Sequence, residues 1–328
     1  MKKFIVTLLT MISIITFSET IKYDNGDKEV VNVVKGVKQG KATYYYKNGN
    51  KEKFTYIDGE AQGKSIIYYQ DGDKKERTYV DGVVQGKAII YYKNGNRDEL
   101  MYVDGKAQGK SIYYYKNGDK EERTYIDGKL QGKATIYYKD RDREELNYID
   151  GVKQGKSILY FSNGDKAERT YVDGKLQGKA AYYFKDGDRE EFTYVDGKAQ
   201  GESVLYFSNG DKAEKTYVDG EVHGKTICYF KNGDRLEAQI INGQLQGKAT
   251  YYYESGDKEE FTYVDGVVQG KSILYFANGI KEKRNYIDGV LQGEAIYYFE
   301  DGDILKIIYK DNIIKRRIYK KKDLINEK

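Results

Sequence analysis

One 23-residue phrase repeats about twelve and a half times between residues 24 and 312, with no insertion or deletion. A Gln-Gly dipeptide marks the period at Gln39, Gln62, Gln85, Gln108, Gln131, Gln154, Gln177, Gln200, Gln246, Gln269 and Gln292, and the one exception, position 223, is histidine. A repeat of this size cannot bury its apolar surface alone. It does so against its neighbours, and stability becomes nearly a sum of nearest-neighbour terms. The 328 residues are therefore expected to form one uniform array, not the two globular domains that their number would otherwise suggest.

Each repeat reads as two strands and two turns. In residues 39–61 the run Lys41 to Lys47 is rich in tyrosine and leads into Asn48-Gly49; a second run ends in Phe54-Thr55-Tyr56-Ile57 before Asp58-Gly59. Aromatic and β-branched residues suit the half-buried, pleated surface of a strand. Asn-Gly and Asp-Gly accept the positive φ angles of a two-residue type I′ turn, whose twist matches the flanking strands. The expected fold is all-β, an elongated repeat array of antiparallel β-hairpins with a 23-residue period. About 25 strands would lie in an extended twisted sheet, either open or coiled into a solenoid. Arg141 stands where the twelve other turns of its kind carry glycine, so Asp140-Arg141 has to strain a left-handed conformation or use another turn.

Tyrosine takes the place of the usual aliphatic core: there are 36 tyrosines, no tryptophan and no proline. A first column comprises Tyr45, Tyr68, Tyr91, Tyr114, Tyr137, Tyr160, Tyr183, Tyr206, Tyr229, Tyr252, Tyr275 and Tyr298, and a second, from Tyr56 to Tyr309, is broken only by Ile240. Side chains alternate across a strand, so Tyr45 and Tyr46 face opposite ways and both faces are aromatic. The first column is the candidate binding surface. A 46-residue rhythm lies over the period, with Phe54, Arg77, Leu100, Arg123, Leu146, Arg169, Phe192 and Lys215 alternating between apolar and basic. It fits cation–π contacts between repeats, and equally the duplication of a two-repeat block. The repeat from His223 to Leu245 diverges most.

Residues 1–18 read as an export signal: Lys2 and Lys3, an apolar run from Phe4 to Phe17, then Ser18. The expected organisation is a signal peptide over 1–18, the array over 19–314 and a basic tail over 315–328. Localisation is expected to be periplasmic, at the cell surface or secreted. The chain carries 56 basic and 52 acidic residues, two of the basic ones in the leader, so the array is close to neutral and positive charge gathers in the tail. The tail reads as a solvated cap on the last strand. Cys228, the one cysteine, stands where other repeats carry Ile67, Leu159 or Tyr182 and is expected to pack.

The segment Tyr79-Val80-Asp81-Gly82-Val83-Val84-Gln85-Gly86-Lys87 resembles the core of the MORN repeat, a 23-residue β-hairpin unit, and His223-Gly224-Lys225 restores the histidine common in that family. Tyrosine replaces the tryptophan of many members. With Tyr115-Lys116-Asn117-Gly118, this makes the chain similar to the bacterial variant of the repeat, a group sometimes labelled antitoxins. The resemblance implies protein-scaffolding or membrane-associating work, and it supplies no active-site residues.

One histidine and one cysteine cannot supply a nucleophile with its base or a zinc ligand set. Carboxylate pairs such as Glu121-Glu122 and Glu190-Glu191 recur in many copies and read as a charged sheet surface, whereas acid–base catalysis needs one special pair. Asp71-Gly72-Asp73 and its equivalents match a calcium loop only weakly, leaving weak ion binding along an edge as a minor alternative, and suit turn geometry. The strand runs are short for an outer-membrane barrel. No enzyme activity, cofactor or metal is expected. The expected function is macromolecular binding or adhesion at a bacterial envelope, with protein or glycan partners, anionic lipid as a further candidate and no nucleic acid. The alternatives are an envelope scaffold or spacer, and a membrane-associating or antitoxin-like module.

Overall fold

The computed structural model describes residues 18–321. The export-signal segment, apart from Ser18, and the end of the tail from residue 322 lie outside the described residues. Every regular element among the described residues is a β-strand. The chain divides between Val152 and Lys153 into an N-terminal and a C-terminal half.

In the N-terminal half the longer strands pair antiparallel in chain order. Ser18–Lys22 pairs with Lys28–Val34, that strand with Val37–Tyr45, and that one with Lys51–Ile57, and so on through Arg143–Ile149. The C-terminal half repeats the meander from Gly155–Tyr160 to Ile313–Lys320. The expected array boundary at 314 falls inside this last strand, so the first residues of the basic tail are a paired edge strand.

Two turn types alternate, and only one is the expected type I′. At Asp58-Gly59 both central residues have positive φ, 49° and 89°, and Ile57 pairs directly with Glu60, which is the two-residue hairpin. At Asn48-Gly49 only the glycine is left-handed, φ 87°; Gly49 N donates to Tyr46 O and Tyr46 N to Asn50 O, each at 3.0 Å. That is a three-residue loop closed by a left-handed residue, and it corrects the type I′ assignment there. The loop is selected by its side chains. Asn48 Oδ1 accepts from Asn50 N at 3.1 Å, the local turn that asparagine and aspartate favour. Arg141 adopts the left-handed conformation at φ 77° and keeps the same bond to Tyr138 O.

The opposite edge carries a bulge. From the third repeat on, the strand breaks at the Gln position, as between Val83–Val84 and Gly86–Tyr91, with Gln85 N bonded to Thr78 O at 2.9 Å. This break turns the two expected strands per repeat into three short elements.

The two faces of the sheet differ. Tyr45 pairs with Lys51, Thr43 with Lys53 and Lys41 with Thr55, all on one open face; Tyr44 with Glu52 and Ala42 with Phe54 share the other, buried face. Aliphatic clusters form there, such as Ala88, Leu100 and Ala107. Between them lie buried carboxylates, including Glu52, Asp98, Glu121 and Glu190. The surface reading of the carboxylate pairs therefore holds for Glu122 and Glu191 only; neighbours in a strand point to opposite faces.

Candidate functional site

The first tyrosine column lies on the open face: Tyr45, Tyr68, Tyr91, Tyr114 and Tyr137 in the N-terminal half, and Tyr160 to Tyr298 in the C-terminal half. Each ring is half-buried or exposed, with Tyr68 at 40% and Tyr137 and Tyr206 at 38%. A cation from the preceding repeat covers most of the rings. Lys74 Nζ lies 4.3 Å from the Tyr91 centroid, the Arg97 guanidinium 4.4 Å from Tyr114, Lys166 4.4 Å from Tyr183 and Arg235 4.3 Å from Tyr252. Sequence reasoning placed cation–π contacts on the 46-residue rhythm, where Arg77 and Arg123 make them; those of the open face recur every 23 residues and tie neighbouring repeats together within each half.

Carboxylates two residues along the same strand hold those cations, as in Lys74–Glu76 at 2.8 Å, Lys120–Glu122 at 2.6 Å and Arg189–Glu191 at 2.9 Å. The bond from Glu76 raises the ammonium pKa of Lys74 above its usual value, and Glu122 does the same for Lys120. The open face therefore presents a periodic mosaic of phenol, cation and carboxylate, and a second lysine on the same face, such as Lys64, Lys87 or Lys110, leaves most repeats net positive. In the C-terminal half a groove of about 720 Å³ opens in it, lined among others by Lys156, Glu168, Lys179, Ala181, Glu191 and Val204. Ala181 makes room by standing where other repeats carry isoleucine, threonine or valine.

The titratable groups of the buried face are engaged with one another. Glu52 accepts from Ser65 Oγ at 2.7 Å, Tyr46 Oη at 2.7 Å and Arg77 Nη2 at 2.8 Å. Burial alone would raise this carboxyl, but the Arg77 charge and these bonds outweigh it and hold the pKa below the usual value. Tyr79, half-buried beside the same carboxylate, is pushed up to about 12. Lys215–Glu190 at 3.1 Å and Arg284–Glu259 at 3.6 Å repeat the pattern. Arg77 and Arg123 also lie over Tyr79 and Tyr113, at 4.9 and 4.5 Å. Buried ion pairs are thus the main content of the 46-residue rhythm. Sequence reasoning missed them, although a basic residue 25 positions after each of Glu52, Asp98 and Glu190 was a readable signal.

Both edges are clamped. Gln62 Nε2 donates to Asp81 Oδ1 at 2.6 Å and Gln85 to Asp104 at 2.7 Å, so the Gln that opens each of these repeats holds the Asp-Gly turn near its end. At the other edge Asp73 Oδ1 accepts from Lys93 N at 2.8 Å and Asp119 from Lys139 N at 2.9 Å. The Asp-x-Asp tips that invited comparison with calcium loops spend an oxygen on the neighbouring turn, and among the described residues no group of three or more histidine, cysteine or carboxylate side chains is placed to hold a metal ion.

Cys228 packs against the cluster of Leu236, Ala238 and Ala249, and burial pushes its thiol up. His223 is exposed at the strand break, with its backbone N bonded to Thr216 O at 2.9 Å. A row of exposed aliphatic side chains, Ile57, Val80, Val103, Ile126 and Ile149, borders the type I′ turns of the N-terminal half.

Five segments match the family model described as MORN repeat: residues 32–51, 101–120, 170–189, 237–258 and 285–304. No curated protein matches the chain. Among solved structures, the chain is similar to the TCP domain of SAS-4 (dCPAP) from Drosophila melanogaster, in complex with a proline-rich motif of Ana2 (dSTIL). That likeness has 17% identity over 59% of this chain and 99% of the other, with a TM-score of 0.28, and is too low to bear on function.

Proposed function

This chain is a MORN-repeat protein, and we propose that it is an exported, non-catalytic binding array whose open face holds a macromolecular partner at a bacterial envelope. One observation carries the reading. The same group of tyrosine ring, cation and carboxylate recurs on one face of successive repeats. Repeats of this class bind proteins or membranes. The net positive charge of the face suits an acidic protein surface or glycan, and also an anionic lipid surface.

One ring face of most column tyrosines is already covered by a lysine or arginine, so a partner would meet ring edges, hydroxyls and the ion pairs between them. Many weak, equivalent contacts of this kind give useful affinity only through multivalency. The leader over residues 1–18 supports export. Removing repeats two at a time from the C-terminal end, and measuring binding of the labelled array to intact envelopes and glycan-coated surfaces, tests the reading. Apparent affinity should fall with each removal, and Tyr183→Ala with Tyr206→Ala should weaken binding without loss of β-structure by circular dichroism. Unchanged binding after loss of most repeats would refute it.

A further inference from the structure

The second-strand tyrosine meets side chains at recurring offsets. The residue 25 positions earlier lies against its ring, as Phe54 does at 6.0 Å from Tyr79 and Phe192 at 5.8 Å from Tyr217. The residue 18 positions earlier also covers it, as Lys38 does Tyr56 at 5.1 Å and Lys153 does Tyr171 at 5.3 Å. In several repeats its hydroxyl reaches a carboxylate 27 positions earlier: Tyr148 to Glu121 at 2.7 Å, Tyr217 to Glu190 at 3.0 Å.

Position 240 breaks the column with isoleucine. The same offsets from 240 give Lys215, Val222 and Ala213. Lys215 and Val222, with Glu221, Ile240, Asn242 and Gly243, line a concavity of about 610 Å³. The walls that enclose a ring elsewhere are therefore kept, and a smaller side chain stands between them. At the 27-position offset Ala213 offers no acceptor, so the site asks for a ring without a hydroxyl. Lys215, tethered to Glu190 at 3.1 Å, supplies a fixed cation for the face of such a ring.

We propose that this notch docks an aromatic side chain, phenylalanine above tyrosine, presented by a partner protein. The charge match carries the assignment: a partly buried cation favours a π face over an aliphatic group of equal size. A partner chain is the fitting source, because a shallow notch gives a free ring only weak binding while a tethered ring shares the cost of association with its other contacts. The inference does not use the open face, and its failure leaves the proposed function standing.

Saturation-transfer NMR on the full chain, with N-acetylphenylalaninamide as probe and N-acetylleucinamide as comparison, tests it. Saturable binding of the aromatic probe with a dissociation constant of order 1 mM is expected, with the leucine probe at least fivefold weaker. Ile240→Tyr, which restores the residue found at this position in the other repeats, should fill the notch and weaken the aromatic probe at least tenfold; Ile240→Phe does the same if the tyrosine variant folds poorly. Ile240→Ala should keep binding. No saturable signal, equal binding of the two probes, or equal binding to wild type and the filled variants would each overturn the proposal.

Discussion

Asp98→Glu should stabilise the N-terminal half, because the structure contains both versions of the same site. Around Glu52, Ser65 Oγ and Arg77 Nε both reach the carboxylate, at 2.7 and 3.3 Å. Two repeats later Asp98 takes the position of Glu52, Ser111 that of Ser65 and Arg123 that of Arg77. Aspartate is one methylene shorter. It keeps Arg123 Nη2 at 2.6 Å, but Asp98 Oδ1, Ser111 Oγ and Arg123 Nε are buried without a hydrogen-bond partner. Satisfying a buried polar atom is worth about 1–3 kcal/mol, and one more buried methylene adds about 0.8 kcal/mol. The longer side chain loses about 0.5–1 kcal/mol more rotamer entropy, and a water bridging the three atoms would reduce the gain further. A net stabilisation of about 1–2 kcal/mol remains, equivalent to roughly 5- to 30-fold slower amide exchange. Native-state hydrogen exchange over Arg97–Val103 and Lys120–Ile126 reads this locally, which matters because an array need not unfold in one step. Glu52→Asp is the reciprocal test and should speed exchange over Lys51–Ile57 by a similar factor. Unchanged or faster exchange in Asp98→Glu, with no effect of Glu52→Asp, would refute the reasoning.

Acid should act on the two sites with opposite sign. The Glu52 carboxyl lies below its usual value, so its contribution is present above the unfolded pKa and is lost as pH falls through the folded one, whereas burial raises Asp98 despite Arg123, so that site gains stability on acidification; exchange at the two strands between pH 6 and 3 measures both. Arg141→Gly should stabilise by about 0.5–1 kcal/mol, the left-handed strain of about 1–2 kcal/mol less the extra freedom of glycine in the unfolded chain, and a lower thermal midpoint would contradict the turn geometry. Gln85→Ala removes the bonds at 2.7 and 3.1 Å that hold the Asp104 turn and should cost about 1 kcal/mol, seen as faster exchange at Val103–Ala107.

The period made the hairpin array legible, because 23-residue spacing leaves few ways to bury tyrosine. The tyrosine columns were legible for the same reason: strand alternation assigns each to a face. What stayed hidden depends on contacts between residues well separated in the chain. Gln62 and Asp81 are 19 residues apart and look like two separate turn signals until the meander brings them together. Glu121 and Glu122 look alike in sequence, yet one is buried beneath two tyrosine hydroxyls while the other meets Lys120 in solvent. The turn at Asn48-Gly49 was misassigned because the dipeptide fits both a two-residue and a three-residue loop. The side chain of Asn50, which reaches forward to Gln70 N at 3.0 Å, accompanies the longer one.

Alternation between ion-paired and aliphatic repeats solves a problem peculiar to arrays. Identical repeats would let a hairpin pack on the wrong neighbour at little cost, which is how repeat proteins misassemble. Here a skip of one repeat is penalised. Arg123, which reaches 25 residues back to Asp98, would instead meet position 75, a lysine, and Leu100 would cover the buried carboxylate of Glu52. Leaving a buried charge unpaired costs about 3–5 kcal/mol, several times what a correct surface pair contributes. A skip of two repeats restores the match in kind but has to loop out 46 residues, a closure that costs entropy. The ion pairs therefore contribute little to net stability against an aliphatic alternative, and their effect falls on register: they exclude the one-repeat slip, which needs the shortest loop and leaves buried charges without an opposite.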